Sequence, residues 1–201
     1  MNSVGRMVLN SPARAGAQRR YVIPLLRRLA GPLDGAVVLE IGCGCGVGTE
    51  LLLDQLNVGR VDAVDLDPQM VALARARLGD RARVDLGDMT RLDADDASYD
   101  AVVDFGGIHL VPEWRVAVLE IARVLRPQGR YLFEQIVGPA HRLFLPLATT
   151  HRVTGGFGRG PYLGALADAG LPATRVVRPR ARALTGTVGD LIGVAIRDHP
   201  G

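Results

Sequence analysis

Four glycines at alternate positions, 42, 44, 46 and 48, follow an apolar run in VVLEIGCGCGVGTELL (37–52), and no other stretch of this 201-residue chain constrains its fold as tightly. Glycine reaches backbone angles closed to other residues and lets a ligand approach the main chain. A buried strand that enters such a turn and leaves as a helix predicts an α/β domain with a parallel sheet. Nicotinamide and flavin enzymes use a related G-x-G-x-x-G turn. Here the third residue after Gly44 is Val47, so the spacing is G-x-G-x-G, with Glu40 two residues before the first glycine. Cys43 and Cys45 occupy the variable positions and read as space-filling. One such pair supplies neither a disulfide framework nor a zinc ligand set, and no metal site is expected.

Short apolar runs alternate with helical periodicity along the rest of the chain. Strands are expected at 36–41, 61–66, 82–86, 101–105 and 130–137, and two more at 174–183 and 190–197. Asp67 as N-cap and Pro68 in the first turn predict a helix over 68–78, with Met70, Val71, Ala74 and Leu78 on one face. A second helix is expected over 113–126, stopped by Pro127 and Gly129, and a third over 161–169. Residues 1–33 hold a basic amphipathic helix, bent or started at Pro24, that reads as a cap. Residues 138–170, with His141 and His151, read as a lid and last helix. With no internal repeat, 1–201 is one domain.

All 24 basic residues are arginine, which points to genome composition rather than to phosphate recognition. Their distribution is more informative: residues 1–33 carry six Arg and no acid, 34–113 six Arg and sixteen acids, 114–201 twelve Arg and five acids. An acidic middle favours a cationic or hydroxyl-rich ligand and repels a bare polyanion. Arg178, Arg180 and Arg182 alternate on an expected strand that also carries Arg175, yet only 4% of residues are aromatic, so nucleic acid is disfavoured as a partner. No apolar run is long enough to span a membrane and the first residues lack a secretory core, so a cytoplasmic protein is expected, with peripheral membrane contact through the basic helix left open.

Four further blocks follow the glycine turn: AVDLDPQMVALARARL (63–78), VDLGDMTRL (84–92), SYDAVVDFGGIHLVPEW (98–114) and ARVLRPQGRYLFEQ (122–135). With the turn they span residues 37–135, about half the chain, in the order and at the spacing of the class I S-adenosylmethionine-dependent methyltransferases, which the sequence resembles. The resemblance implies a three-layer Rossmann-like α/β fold, a seven-stranded, mostly parallel sheet whose last strand is antiparallel. It implies S-adenosylmethionine as cofactor, held by Glu40, Gly42, Cys43, Gly44 and Gly46 around the turn. Asp65, next to Leu66, would take the ribose hydroxyls, and Asp88 and Met89 the adenine. Asp104 and Phe105 would face the methionine end, and Tyr21 would close over it from the N-terminal helix.

His109, just past the fourth strand, is the first candidate for a general base, and Glu134, at the end of the fifth, the second. Methyl transfer rests largely on alignment, so an enzyme of this kind can work without a strong base. The expected function is methyl transfer to a small, neutral or hydrophobic acceptor, by a monomer or homodimer. The alternatives are an RNA or protein methyltransferase and a non-catalytic cofactor-binding module.

Overall fold

The computed structural model describes residues 11–137, 157–179 and 191–198. In chain order the elements are α1 (Pro12–Ala17), a π-helical turn (Gln18–Val22), α2 (Ile23–Ala30), β1 (Val37–Ile41), α3 (Val47–Gln55), β2 (Arg60–Asp65), α4 (Pro68–Leu78), β3 (Arg83–Leu86), β4 (Tyr99–Asp104), α5 (Trp114–Val124), β5 (Leu125–Gln135), α6 (Arg159–Asp168), β6 (Ala173–Val177) and β7 (Leu191–Ile196). The seven strands form one sheet in the order β3-β2-β1-β4-β5-β7-β6. β1 pairs in parallel with both β2 and β4, and β7 lies antiparallel between β5 and β6. The fold is thus the expected mostly parallel, Rossmann-like α/β sheet with an antiparallel last strand. Strand order reverses between β1 and β4, the place where open α/β sheets bind ligands.

Alternation along the strands builds a core on each side of the sheet. Leu39, Ile41, Val102, Tyr131 and Phe133 face one side, where they meet Trp114, Ile121, Tyr162 and Leu166 of α5 and α6. Val38, Ala101, Val103 and Leu132 face the other, against Leu25 and Leu26 of α2 and Leu51 and Leu52 of α3. The Asp67 carboxylate accepts the Gln69 N–H at 3.0 Å and caps α4 as its sequence predicts. A smaller cluster seats Val71, Ala74 and Leu78 of that helix on Ala63 and Val84.

Three boundaries differ from expectation for physical reasons. The N-terminal helix begins at Pro12, with Ser11 Oγ accepting the Arg14 N–H, rather than at Pro24. Pro24 lies inside it, directly after the π turn, whose widened ladder (Ile23 N–H to Gln18 O) accommodates a residue that cannot donate and that crowds the carbonyl four places back. Helix α5 ends at Val124, not at 126, because the residue before Pro127 is steered away from helical angles and Leu125 is already extended. Strand β6 ends at Val177, so Arg178 lies past it, and Arg180 and Arg182 fall outside the described residues. Arg175 instead donates to Leu29 O (2.9 Å), while Arg130 donates to Ala30 O (2.8 Å) and Pro32 O (2.7 Å). These arginines satisfy carbonyls that the end of α2 leaves open.

Candidate active site

The cavity over the reversal point has a volume of about 540 Å³ and is floored by the glycine turn. Gly42, Gly44 and Gly46 all have positive φ, at 67°, 55° and 81°. The turn is held by Asp65 at the end of β2, which accepts the Gly44 N–H at 2.8 Å through one oxygen and the Asp67 N–H at 2.9 Å through the other. Each oxygen keeps a lone pair for a ligand. Gly48, in the first turn of α3, is required by packing. A methyl group there would stand 2.2 Å from Glu40 Oε1 and 2.6 Å from the Phe105 ring.

Glu40 is 1% exposed and accepts a short hydrogen bond from the Thr49 hydroxyl. Burial pushes its carboxyl up to about 8 despite that bond, and the negative charges of Asp104 and Asp65 add to the rise. A carboxylate kept from its charged form in this way has more to gain from an incoming cation than a solvated one. Burial likewise pushes the Cys43 thiol up, away from the reactive thiolate.

Asp104, fully buried at the end of β4, accepts from the Gly107 N–H (2.5 Å), the Ile108 N–H (3.1 Å) and Gln135 Nε2 (2.6 Å). Burial raises its carboxyl to about 6 against these bonds. The network continues from Asp104 to the Tyr131 hydroxyl (3.4 Å), on to that of Tyr162 (2.9 Å), and through Gln135 Oε1 to His109 Nδ1 (3.3 Å). It orders the turn from Gly106 to Leu110 that walls the cavity.

Of the residues singled out in the sequence, Glu40, Gly42, Cys43, Gly44, Asp65, Leu66, Asp88, Met89 and Phe105 line the cavity. Asp88 spends one oxygen on the Thr90 N–H (2.8 Å) and hydroxyl (2.7 Å), which points the loop after β3 toward the site. Gly46, Asp104, Tyr21, His109 and Glu134 are not among the lining residues. Gly46 abuts Ala74 and Leu78 of α4, so its glycine serves helix packing. Tyr21 packs with the hydrophobic cluster beneath α2. His109 is 3% exposed and held among Gln135 and Phe157, where the sequence suggested a base facing the acceptor. Glu134 is 1% exposed and ion-paired with Arg14 at 3.2 Å. His141 and His151 lie outside the described residues.

Arg14 and Gln18 line the cavity in the place expected for Tyr21. Their i, i+4 spacing behind the Ser11-Pro12 helix start was the available signal; the partners of Arg14, Phe105 O and Glu134, stand 91 and 120 residues away.

A nucleotide-fold sheet with a G-x-G-x-G turn at its reversal point and carboxylates at the ends of β1 and β2 defines a Rossmann-like domain of the methyltransferase type. Residues 38–129 match the family model described as a methyltransferase domain. That match, with the relatives that follow, supports a class I S-adenosylmethionine-dependent methyltransferase. A protein of Mycolicibacterium smegmatis described as a probable S-adenosylmethionine-dependent methyltransferase is 40% identical over 114 residues, 57% of this chain and 43% of that protein. A fatty-acid O-methyltransferase of the same organism is 35% identical over 118 residues, again 57% and 43%. The chain therefore spans less than half the length of these relatives. Among solved structures, one from a complex between the Haloferax volcanii Trm112 methyltransferase activator and a candidate methyltransferase is similar with a TM-score of 0.78 at 24% identity, covering 99% of both chains. At that identity the likeness is one of fold. No described helix is long and apolar enough to cross a membrane.

Proposed function

We propose that the chain transfers a methyl group from S-adenosylmethionine to a small, neutral or hydrophobic acceptor. The observation that carries this reading is the acid-lined, glycine-floored cavity at the strand reversal. Its donor set fits the cofactor: Glu40 for the ammonium, Asp65 for the ribose diol, Asp88 for the adenine amino group, and Met89, Leu66 and Phe105 as apolar walls. Bound there, the cofactor would supply an electrophilic methyl carbon on a sulfonium.

The chain's own contribution is alignment and charge. The Gly44 loop, fixed by Asp65, sets the floor, and the Asp104-ordered turn sets the opposite wall. Holding acceptor and methyl donor in one geometry can account for most of the acceleration. His109 is turned into the network and Glu134 into an ion pair, so neither of these two candidates stands among the described residues lining the cavity. The expected hydrophobic acceptor finds support in the fatty-acid O-methyltransferase relative, which acts on an apolar chain with a polar end.

Parallel calorimetric titration with S-adenosylhomocysteine, S-adenosylmethionine and NADPH tests the reading. Binding of the first two alone upholds it and binding of NADPH alone rejects it. The neighbour in the activator complex favours a second reading, an RNA or protein acceptor reached with a helper protein. Turnover of hydrophobic acids or alcohols by the purified chain alone would reject that second reading.

A further inference from the structure

We propose that Arg14, with Gln18, forms a carboxylate-binding subsite in the cavity wall; this rests on the methyltransferase reading and names what its N-terminal helix does for the ligand. Arg14 is 5% exposed. Its Nη2 donates to Phe105 O at 2.7 Å and to Glu134 Oε2 at 3.2 Å, which locks the guanidinium plane. Its Nη1 is buried and has no hydrogen-bond partner. A charged donor left buried and unpaired is costly, so an acceptor is missing from this position.

The surroundings identify that acceptor's chemistry. Arg14 is the one cation among the described residues lining the cavity, which also carries Glu40, Asp65, Asp67, Asp88 and Glu113. An anionic group that enters has a single place to go. A carboxylate satisfies one guanidinium nitrogen and an amide, whereas a phosphate would bring more charge against five acids than one arginine offsets. Gln18, four residues on and also 5% exposed, is the amide that lines the same cavity. Glu134 behind Arg14 leaves the pair neutral, so the subsite binds by directed hydrogen bonds in a buried setting rather than by long-range attraction. Two sources carry a carboxylate here: the amino-acid end of the cofactor and an acidic acceptor.

The test compares wild type with Arg14→Met/Glu134→Gln, which removes both halves of the ion pair, and with Gln18→Leu, which keeps it. Calorimetry reads S-adenosylhomocysteine against its analogue without the α-carboxylate, then octanoate against octan-1-ol on protein saturated with S-adenosylhomocysteine. If the cofactor supplies the carboxylate, the double variant loses about 10- to 100-fold in S-adenosylhomocysteine affinity and leaves the decarboxylated analogue within about 3-fold. If the acceptor supplies it, that preference stays and the preference for octanoate collapses instead. Gln18→Leu moves the same preference by about 3-fold and decides the matter should the double variant fail to fold. Variants that keep both preferences, or a wild type that shows neither, overturn the subsite. A wild type that binds neither S-adenosylhomocysteine nor S-adenosylmethionine overturns the methyltransferase reading as well.

Discussion

The two walls of the cavity are built on different principles. The glycine-turn wall is local: Glu40, Gly42, Gly44 and Gly48 lie within nine residues of one another, and Asp65 reaches back only to Gly44. The opposite wall is assembled from afar, with α1 delivering Arg14 onto the ends of β4 and β5, 91 and 120 residues away. The first wall is a backbone surface that tolerates little substitution. The second is a set of side chains clasped over an opening, where change should retune rather than destroy binding.

The sharpest way to break this contrast is Gly48→Val. Its Cβ would fall 2.2 Å from Glu40 Oε1 and 2.6 Å from the Phe105 ring, so those side chains must move or the α3 start must shift. Binding of S-adenosylhomocysteine should become undetectable by calorimetry and the melting temperature should drop by several degrees, as overpacking costs about 1–3 kcal/mol. Retained affinity would mean that the glycine wall is as adaptable as the other. Asp65→Ala comes next. It removes the acceptor for the Gly44 N–H and the assigned ribose contacts, and should weaken binding about 100-fold, matching the loss of roughly 3 kcal/mol of hydrogen bonds to a charged group. Asp65→Asn, which keeps one acceptor oxygen, should fall between.

What was legible in the sequence follows the same division. The glycine turn, the Asp67–Pro68 cap and the period of α4 are encoded within a few residues, the apolar runs mark seven strands, and the antiparallel last strand is what the family resemblance implies. Tyr21 was read into the site because it lies on an amphipathic helix, but a helix face says only that something is buried. Whether core or cavity lies beneath depends on a docking angle set here by Leu25 and Leu26 against Leu132 and Val194. The π turn shifts the face between Gln18 and Tyr21, and no local pattern announces it apart from Pro24. His109 was legible as lying next to the site. Its orientation depends on Gln135, a neighbour through the β4–β5 pairing and not through the chain.

A moderate effect should come from pH. With its carboxyl raised to about 8, Glu40 is largely protonated in the free protein at pH 6, and a ligand ammonium beside it favours the charged form. Binding of S-adenosylhomocysteine should therefore release up to one proton. Affinity should climb from pH 6 toward pH 8, by at most about tenfold per unit, and level off above it. The opposite sign holds for stability of the free chain. A raised carboxyl favours the folded state while protonated, so the contributions of Glu40 and of Asp104, raised to about 6, are present at low pH and lost as pH rises through those values. Calorimetry in buffers of different ionisation enthalpy measures the proton release, and Glu40→Gln should flatten it. A slope that survives Glu40→Gln would move the titrating group to the other wall.

The smallest effect is expected at His109, in the turn from Gly106 to Leu110. A general base facing the acceptor would control the acid limb of the rate profile, and its replacement would remove that limb. A buried ring bonded to Gln135 and packed near Phe157 has no such control. His109→Gln should leave affinity for S-adenosylhomocysteine within about 2-fold and leave the shape of the pH–rate profile unchanged, while lowering stability by about 1–2 kcal/mol through the altered buried hydrogen bond. Rates and melting curves measured across pH 6 to 9 separate the two roles. A lost acid limb with an unchanged melting temperature would place His109 at the reaction itself, and would require the turn from Gly106 to Leu110 to swing toward the cavity when ligand binds.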